Sequence, residues 1–373
     1  MMVDGWKKNK LKNLVSSITT GKLDANAMIP NGQYRFYTCA KDYCYIDKYA
    51  FDDEALLISG NGEYVGYIHY YKGKFNAYQR VYVITGFGID VRFLQSYLNR
   101  YLPIRINKEV SQNNIPYIRL STLSQMCINY PESRIEQTAI ANILSKVDEA
   151  IASVQNSISA AERLKKSLMQ NLLTGRMKPD GTLRKDDEFY VDEKFGKVPK
   201  GWRYDKFKEF AVLQRGSDLT DNDVVPGFYP VVKSNGVSIR HNQYFVEPPG
   251  VVTGRSGTIG KAFYIEEKFW AHNTTLYVKD FKDNVPKYIY YLIISMDFGR
   301  YYAGTTIPTL NRNDIHKLKV AIPEKYEEQQ QIVLLLDGSN NIINKEKNKI
   351  AILERLKKSL MQNLLTGKVR VKL

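Results

Sequence analysis

The stretch "ERLKKSLMQNLLTG" occurs twice in the chain, at residues 162–175 and again, letter for letter, at residues 354–367. The two copies are 192 positions apart, and the same offset aligns Pro131 with Pro323. The likeness therefore extends upstream of the identical fourteen residues. An internal repeat over such a distance predicts that the chain consists of two related halves.

The alignment of the two halves continues towards their starts with small changes of offset. "SGNGEYVG" from Ser59 aligns with "TGRSGTIG" from Thr253, and the Gly-Trp pair at Trp6 aligns with the one at Trp202. Each half thus begins with Gly-Trp, continues through a variable globular part and ends in a nearly invariant tail.

That tail is predicted to be a long helix in each half. After the dipeptide "EQ", at 136–137 and 328–329, apolar residues recur three or four positions apart. Gly175, at the end of "LLTG", suits a helix C-cap, and about 38 helical residues would be roughly 55 Å long. The predicted helix-pairing residues are Ile140, Leu144, Val147, Ile151, Val154, Ile158, Leu164 and Leu168 in the first helix, and Leu336, Ile343, Ile350, Leu353, Leu356 and Leu360 in the second.

An apolar stripe of this length needs a partner, because it is unstable in water by itself. We expect the two helices to pair antiparallel as a coiled-coil spacer between the globular halves, which an approximate twofold axis would relate. The alternative is that each helix packs only onto its own globular half. Two different globular halves would, however, impose different packing surfaces on two identical stretches.

The globular parts are predicted to be mixed α/β. Short β-branched or aromatic runs bounded by turn residues, such as "RVYVITGF", "GVVTGRSG" and "TTLYVKDF", indicate strands. The segments "DVRFLQSYLNRYL" and "VPKYIYYLIISM" indicate short amphipathic helices.

The composition of the 373-residue chain is that of a soluble globular protein with a basic excess, 54 Lys and Arg against 39 Asp and Glu. This excess favours a polyanionic partner. No apolar run approaches the roughly 20 residues that cross a bilayer, and the N-terminus lacks an apolar signal region, so we expect a cytoplasmic protein without membrane contact. Cys39, Cys44 and Cys127 should then be reduced. Together with His69, the first two offer at most three metal ligands, and no zinc site is predicted.

Two catalytic interpretations were compared with the sequence. "TGRSGTIGKA" from Thr253 resembles a phosphate-binding loop, but its glycine spacing is one residue too long and Ala262 stands where Ser or Thr would bind Mg²⁺. A hairpin turn explains its glycines better. Asp180, Asp192 and Lys194 superficially match the acid and lysine pattern of metal-dependent nucleases, although "KPDGT" is also an ordinary turn after a helix.

Side chains suited to DNA recognition recur in the loops of both halves. Arginine can bond guanine, asparagine can bond adenine, and lysines and backbone amides can bind phosphates. The predicted DNA-binding residues are Asn61, Arg80 and Arg119 in the first half, and Lys233, Ser234, Asn235, Arg240, Arg255, Ser256, Thr306, Asn311 and Arg312 in the second.

Over its whole length the chain resembles the specificity (S) subunit of type I restriction-modification systems. The resemblance rests on the paired "GW" starts, the "TGxxGxxGK"-like loop at Thr253, the run "IPTLNRNDIHKLKVAIP", the "P…EQ" step into each helix and the two "LLTG" helix ends. In the first half, "SGNGEYVG" departs from the usual Arg/Ser-Gly order, which weakens the prediction for Asn61.

The resemblance implies two target-recognition domains, at 1–134 and at 176–326 with a linker over 176–200, and two spacer helices, at 135–175 and at 327–373 with a basic tail. Each domain would bind one half of a two-part, asymmetric sequence in double-stranded DNA. The helices would set the gap between the halves and dock two methyltransferase (M) subunits, and separate restriction and translocase (R) subunits would cut.

The resemblance further implies a chain that is not an enzyme and binds no metal or cofactor, with S-adenosylmethionine and ATP/Mg on partner subunits. Two alternatives from other classes remain open at this point. One is a nuclease built on the two aspartates and the lysine named above, and the other is a coiled-coil scaffold that does not bind DNA.

Overall fold

A computed structural model describes residues 3–109, 117–193, 195–296, 298 and 309–372. The chain divides into two compact units. The first unit comprises residues 1–155 and 348–373, and the second comprises residues 156–347. Each unit therefore contains one globular part together with portions of both long helices.

The first unit is built on a six-stranded sheet with the strand order β2-β7-β5-β6-β3-β4. The described part of the unit contains eight strands, of which the first and the last form a separate two-stranded sheet. They are β1 (Trp6–Lys10), β2 (Val15–Thr20), β3 (Tyr34–Tyr37), β4 (Cys44–Ile46), β5 (Phe51–Ser59), β6 (Ile68–Ala77), β7 (Val81–Phe87) and β8 (Cys127–Pro131). Its helices are α1 (Val91–Glu109), α2 (Leu120–Ser124), the start of α3 (Arg134–Leu172) and the end of α6 (Tyr326–Leu364). Both faces of β5 are buried: Leu56 packs in the cluster that contains α1, and the next residue, Leu57, packs in a smaller cluster on the other face.

The second unit contains a four-stranded sheet, β12-β18-β15-β16, and a three-stranded sheet, β14-β13-β17. Its strands are β9 (Phe189–Asp192), β10 (Gly196–Pro199), β11 (Trp202–Lys206), β12 (Val212–Arg215), β13 (Tyr229–Lys233), β14 (Gly236–His241), β15 (Gly250–Gly254), β16 (Ala262–Ile265), β17 (Trp270–Ala271), β18 (Thr275–Asp280) and β19 (Lys319–Pro323). Its helices are α4 (Pro286–Ser295), α5 (Arg312–Lys317) and the start of α6 (Tyr326–Leu364), together with the end of α3.

These elements confirm the predicted mixed α/β class and both long helices, each of 39 residues. The three predicted strand runs fall on β7, β15 and β18, and the two predicted short helices are α1 and α4. None of the described helices is long and apolar enough to cross a membrane.

The two units share one framework where the sequence repeat aligns them. β1 pairs antiparallel with β8 so that Trp6 lies opposite Pro131, and β11 pairs with β19 so that Trp202 lies opposite Pro323. All four residues are buried. The Gly-Trp start of each half is thus fixed beside the proline that precedes its long helix.

A buried glutamine repeats this equivalence one turn into each long helix. Gln137 accepts a hydrogen bond from the backbone N–H of Asp90, just before α1, and donates one to the carbonyl oxygen of Pro131, both at 2.7 Å. Gln329 does the same at 2.9 Å with the N–H of Val285, just before α4, and the carbonyl oxygen of the last residue of β19. The repeated "EQ" therefore ties a strand end and a helix start to each long helix.

Within the first unit, the start of α3 lies antiparallel to the end of α6. Glu136 pairs with Arg370 at 2.6 Å, and Asp148, three turns further along α3, pairs with Lys357 at 2.5 Å, so the partners run in the opposite sense. Ile140 and Leu144 share a buried cluster with residues of α6 and with residues of α1. In this unit a long helix packs both on its own globular part and on the other long helix.

Within the second unit the end of α3 lies against the start of α6. Glu162 pairs with Lys347 at 3.3 Å, while Leu172, ten residues later, shares a buried cluster with Ile332 and Leu336. The order is again antiparallel.

Leu164 and Leu356, equivalent residues of the exact repeat, depart from the predicted helix-pairing face, because their side chains are 56% and 45% exposed. Lys165 and Lys357, the next residues, are half-buried instead. One helical residue corresponds to a rotation of about 100°, so a stripe of three- and four-residue steps can pass through either neighbour. Of the remaining predicted pairing residues, Ile140, Leu144, Val154, Leu336 and Ile343 are buried, and Val147, Ile151, Ile158, Leu168, Ile350, Leu353 and Leu360 are half-buried.

Two glycines of the second unit should respond oppositely to alanine. Gly338 lies inside α6 with no heavy atom within 4 Å of an added Cβ, so Gly338→Ala should stabilise the unit by up to about 1 kcal/mol through helix propensity. Gly175 has φ +68°, and its Cβ would lie 2.2 Å from Cγ of Pro199, so Gly175→Ala should destabilise it by about 2 kcal/mol or more. Urea unfolding of the two variants beside the unchanged chain measures both, and a stabilising Gly175→Ala would contradict the positive-φ helix end.

Candidate nucleic-acid interface

The three predicted DNA-binding residues of the first half lie on neighbouring segments. Asn61 forms an isolated antiparallel bridge with Tyr117, and the carbonyl oxygen of Arg80 accepts the N–H of Gly60 at 2.9 Å. The Arg119 guanidinium donates to the Tyr117 hydroxyl at 2.5 and 3.0 Å. We call this group of Asn61, Arg80, Tyr117 and Arg119 the first loop cluster.

A tyrosine cluster adjoins it, and the sequence analysis did not identify it. The Arg35 guanidinium carbon lies 4.2 Å from the ring centre of Tyr43 and 4.6 Å from that of Tyr71. Lys41 lies 5.1 Å from the ring centre of Tyr64, which belongs to the same β5–β6 loop as Asn61. Exposed members of the cluster, at 37–46% exposure, are Tyr43, Tyr45, Tyr49 and Tyr67.

Exposed tyrosine hydroxyls and interleaved cations can bind the phosphates of a duplex, and the rings hold the cations in place. The signal was present in the sequence, because "YRFYTCAKDYCYIDKY" from Tyr34 places five tyrosines among Arg35, Lys41 and Lys48. Strand pairing explains why it was overlooked. β3 pairs in parallel with β6, which brings Tyr71 to the tyrosines of the first stretch from a distant part of the chain.

In the second unit, most of the predicted residues lie together around Thr274. Its carbonyl oxygen accepts the backbone N–H groups of Arg255 and Ser256 at 2.8 and 3.1 Å, and its hydroxyl accepts the N–H of Ser234 at 3.4 Å. The N–H of Leu310 donates to the carbonyl oxygen of Arg255 at 2.8 Å, which brings the start of α5 to the same place. We call the side chains of this region, Lys233, Ser234, Asn235, Arg255, Ser256, Asn311 and Arg312, the second loop cluster.

Asn311 and Arg312 lie at the start of α5. The Asn311 side chain accepts the N–H of Asn313 at 2.9 Å and so caps α5, while Arg312 is the exposed first residue of that helix. Thr306 lies outside the described residues.

Arg240 does not belong to this group. It lies on β14 away from the β13–β14 turn, and its guanidinium binds both carboxylate oxygens of Glu267 at 3.0 and 3.1 Å and the carbonyl oxygen of Phe228. The pairing occupies the face with which an arginine would bond guanine. Its role in DNA binding stays a prediction.

Arg215, at the end of β12, adds a cation that the sequence analysis missed. The pKa of Arg255 is lowered, mainly by burial of its guanidinium group and in addition by the positive charge of Arg215. Among the residues that the structure describes, neither guanidinium has an ion-pair partner. Arg215 lies opposite Leu276 of β18, and Thr253, two residues before Arg255, lies opposite the same residue on the other side of that strand, so the two arginines are neighbours. Two neighbouring guanidinium groups without an ion-pair partner among the described residues favour the binding of an anion such as a phosphate.

His272 lies at the same site. Burial first, and then the charge of Lys233, lower its pKa, so that the neutral ring is favoured near pH 7. Its Nδ1 is 2.9 Å from the Thr274 hydroxyl. The ring therefore helps to orient the loop residue around which the second loop cluster is built.

The residues considered for catalysis have local structural partners. "TGRSGTIGKA" forms the connection of the β15–β16 hairpin, as its glycines predicted. Asp180 accepts hydrogen bonds from the N–H and hydroxyl of Thr182 in a turn, Asp192 accepts the N–H of Phe195 at 2.9 Å, and Lys194 lies outside the described residues. Within the described part of the chain, no group of three or more His, Cys, Asp or Glu could hold a metal ion.

The two clusters therefore offer guanidinium groups, hydroxyls, amides and aromatic rings on loops that are held by sheets. Such groups bind phosphate oxygens and base edges.

Comparison with known proteins agrees with this chemistry. The model of the family "Type I restriction modification DNA specificity domain" matches residues 3–163 and 199–355. The type I restriction enzyme EcoDI specificity subunit of Escherichia coli is 26% identical, covering 98% of this chain and 88% of its own length. The MjaVIII specificity subunit of Methanocaldococcus jannaschii is also 26% identical, covering 72% of this chain and 68% of its own.

Two solved structures share the fold. The crystal structure of a type I restriction-modification S subunit from M. genitalium superposes with a TM-score of 0.65 at 16% identity, covering 96% of each chain. A chain from a structural study of complex assembly and conformational transition of the type I system gives 0.57 at 12% identity, covering 99% of this chain and 100% of the other. Since the family model matches most of the chain in two successive segments, the protein belongs to the family of type I restriction-modification DNA specificity subunits and carries two copies of the domain.

Proposed function

We propose that this chain recognises a two-part, asymmetric sequence in double-stranded DNA, with one target-recognition domain for each part. Residues 1–134 form the first domain and residues 176–326 the second. The observation that carries the proposal is a shared framework with different loops. The Trp–Pro pairing and the buried glutamine are equivalent in both units, whereas the first loop cluster and the second loop cluster have different side chains.

A shared framework with different loops suits two domains that have the same fold and recognise different bases. The backbone hydrogen bonds around Thr274 and around Gly60 hold loops of fixed shape, and the exposed side chains differ between them. Phosphate neutralisation by the basic residues would supply most of the affinity, which should therefore fall steeply with salt. Contacts with base edges would supply the choice of sequence.

The long helices, over 135–175 and 327–373, would set the gap between the two half-sites and dock two methyltransferase subunits, which carry S-adenosylmethionine. Restriction and translocase subunits with ATP and Mg²⁺ would join through the same complex. The identical fourteen residues support this role, since identical partners require identical surfaces. Their exposed leucines, Leu164 and Leu356, are available for such contacts.

The direct test is methylation mapping of DNA from cells that express this chain with its methyltransferase partner. We expect one modified motif with two specified parts and an unspecified gap. Methylation of a single continuous motif, or none above the partner alone, would refute the proposal.

Lengthening the helices tests their proposed role as a spacer. Four residues inserted into each long helix add about one turn, roughly 6 Å, and should change the gap by about two base pairs while both half-sequences stay the same. The same four residues inserted after Gly181, in the turn of the linker, should leave the gap unchanged. An unaltered gap in the helix variant would contradict the spacer role.

A further inference from the structure

A cavity of 680 Å³ lies in the second unit among the end of α3, the start of α6 and the end of α4. Of the lining residues that the structure describes, three are cations, Lys165, Lys166 and Lys347, and one is an acid, Glu162. The remaining wall is partly apolar, with Met169, Leu173, Ile294 and Ile343. Its volume lies in the range of sites that bind side chains or small molecules.

Among the described residues that line this cavity, cations outnumber acids. Glu162 is paired with Lys347 at 3.3 Å. Among the described residues, Lys165 and Lys166 have no ion-pair partner. Lys165 is half-buried, and burial followed by the charge of Lys347 lowers its pKa. A half-buried ammonium group beside another cation is unfavourable until an anion reaches it.

The other copy of the repeat shows what is missing. Lys357 of the first unit corresponds to Lys165, and it pairs with Asp148 at 2.5 Å. The residue of α6 that corresponds to Asp148 is Asn340, which lines the cavity. The same lysine in the same fourteen-residue context thus has an ion-pair partner in the first unit, and in the second unit it has none among the described residues.

We infer that this cavity binds an acidic side chain, flanked by apolar residues, of the methyltransferase subunit that docks on the second unit. The inference rests on the proposed function, which places two copies of one partner on the two copies of the repeat. The incoming carboxylate takes the place at Lys165 that Asp148 takes at Lys357, and the apolar wall receives its neighbours. The fourteen repeated residues present the same side chains to both partners, but the residues around them differ. The two docking sites therefore differ in affinity, since Asp148 repels the same carboxylate in the first unit.

An acid can be introduced within the chain at Asn340, the position that corresponds to Asp148, to compete with the partner's carboxylate for Lys165. Native mass spectrometry and titration calorimetry of the full-length chain with its methyltransferase subunit should resolve two binding constants. Asn340→Asp keeps the shape of the side chain but removes the hydrogen bond that its amide donates to the Tyr291 hydroxyl at 2.7 Å. It should weaken one constant by at least about tenfold, the contribution of one hydrogen bond to a charged group. Lys165→Met should weaken the same constant, and Asp148→Asn should instead strengthen the other.

Unchanged constants in both Asn340→Asp and Lys165→Met would overturn the inference while the proposed docking stands. A chain that binds no methyltransferase subunit would refute the proposed docking itself, and this inference with it. Circular dichroism of each variant, matching that of the unchanged chain, ensures that a weakened constant reports the cavity.

Discussion

Replacing both Arg215 and Arg255 with methionine should lower the affinity for the recognised duplex by at least about 30-fold, since each good bidentate arginine contact with a base contributes roughly 1–3 kcal/mol. Neither guanidinium has an ion-pair partner among the described residues, so both are available to DNA without first breaking an internal pair. If both bind phosphates, the slope of log affinity against log salt should also decrease by about 1.8. Fluorescence anisotropy over a salt series, with the chain in its methyltransferase complex, measures both quantities.

The matched control removes the same charge elsewhere in the second unit. Arg203 and Lys206 are exposed residues of β11, which pairs with β19 and belongs to neither loop cluster. The double variant Arg203→Met/Lys206→Met should lose less than about tenfold, as expected for loss of long-range attraction alone. Equal losses in the two double variants would show that net charge, and not the second loop cluster, determines binding.

The sequence was most informative where a local rule decided the structure. Apolar spacing predicted both long helices, and Gly175 and Gly367 have the positive φ, +68° and +71°, that the "LLTG" helix ends favoured. The alignment placed "EQ" at equivalent positions of the two halves, and the structure adds that Gln137 and Gln329 are buried and make equivalent hydrogen bonds. The glycines of "TGRSGTIG" predicted a hairpin turn, because they fitted no phosphate-binding spacing.

Features that depend on distant residues could not be predicted in the same way. Arg215 lies near Arg255 because β12 and β15 both pair with β18, and nothing near either arginine in the sequence indicates this. Likewise, Arg240 looked available until strand pairing brought Glu267 to it. The composition of a loop can therefore suggest DNA-binding side chains, but the tertiary fold determines which of them already bind other residues of the protein.

The predicted helix-pairing face differs from the structure at Leu164 and at its equivalent, Leu356, for another reason. Lysine has an apolar stem and a charged tip, so a half-buried lysine can occupy a pairing face if its ammonium group reaches an acid or water. Hydrophobicity alone assigned Leu164 and Leu356 to that face, and the structure places Lys165 and Lys357 nearer to it. Whether the leucine or the lysine faces the partner depends on the side chains of the opposing helix, and the sequence of one helix does not show these.

Arg184→Met should destabilise the second unit by about 3 kcal/mol, since loss of one partner leaves a largely buried carboxylate without its counter-charge. Arg184 binds Glu328 at 2.5 Å with side chains only 7% and 19% exposed, and Glu328 also accepts the Trp202 indole N–H at 3.1 Å. Urea unfolding followed by tryptophan fluorescence measures the loss. Adding Glu328→Gln should recover a large part of it, because a neutral amide needs no counter-charge and its oxygen still accepts the indole N–H.

The control for this prediction is Arg240→Met, which breaks an ion pair of the same kind in the same unit. Arg240 and Glu267 are 50% and 53% exposed, so water solvates either charge when its partner is removed, and the expected cost is below about 1 kcal/mol. Burial is then the main difference between the two arginines. The Arg184–Glu328 pair fixes the start of α6 against Trp202, whereas the Arg240–Glu267 pair lies on the exposed surface of β14. Equal costs for Arg184→Met and Arg240→Met would mean that the Glu328 carboxylate finds water or another donor, and that the framework does not depend on this pair.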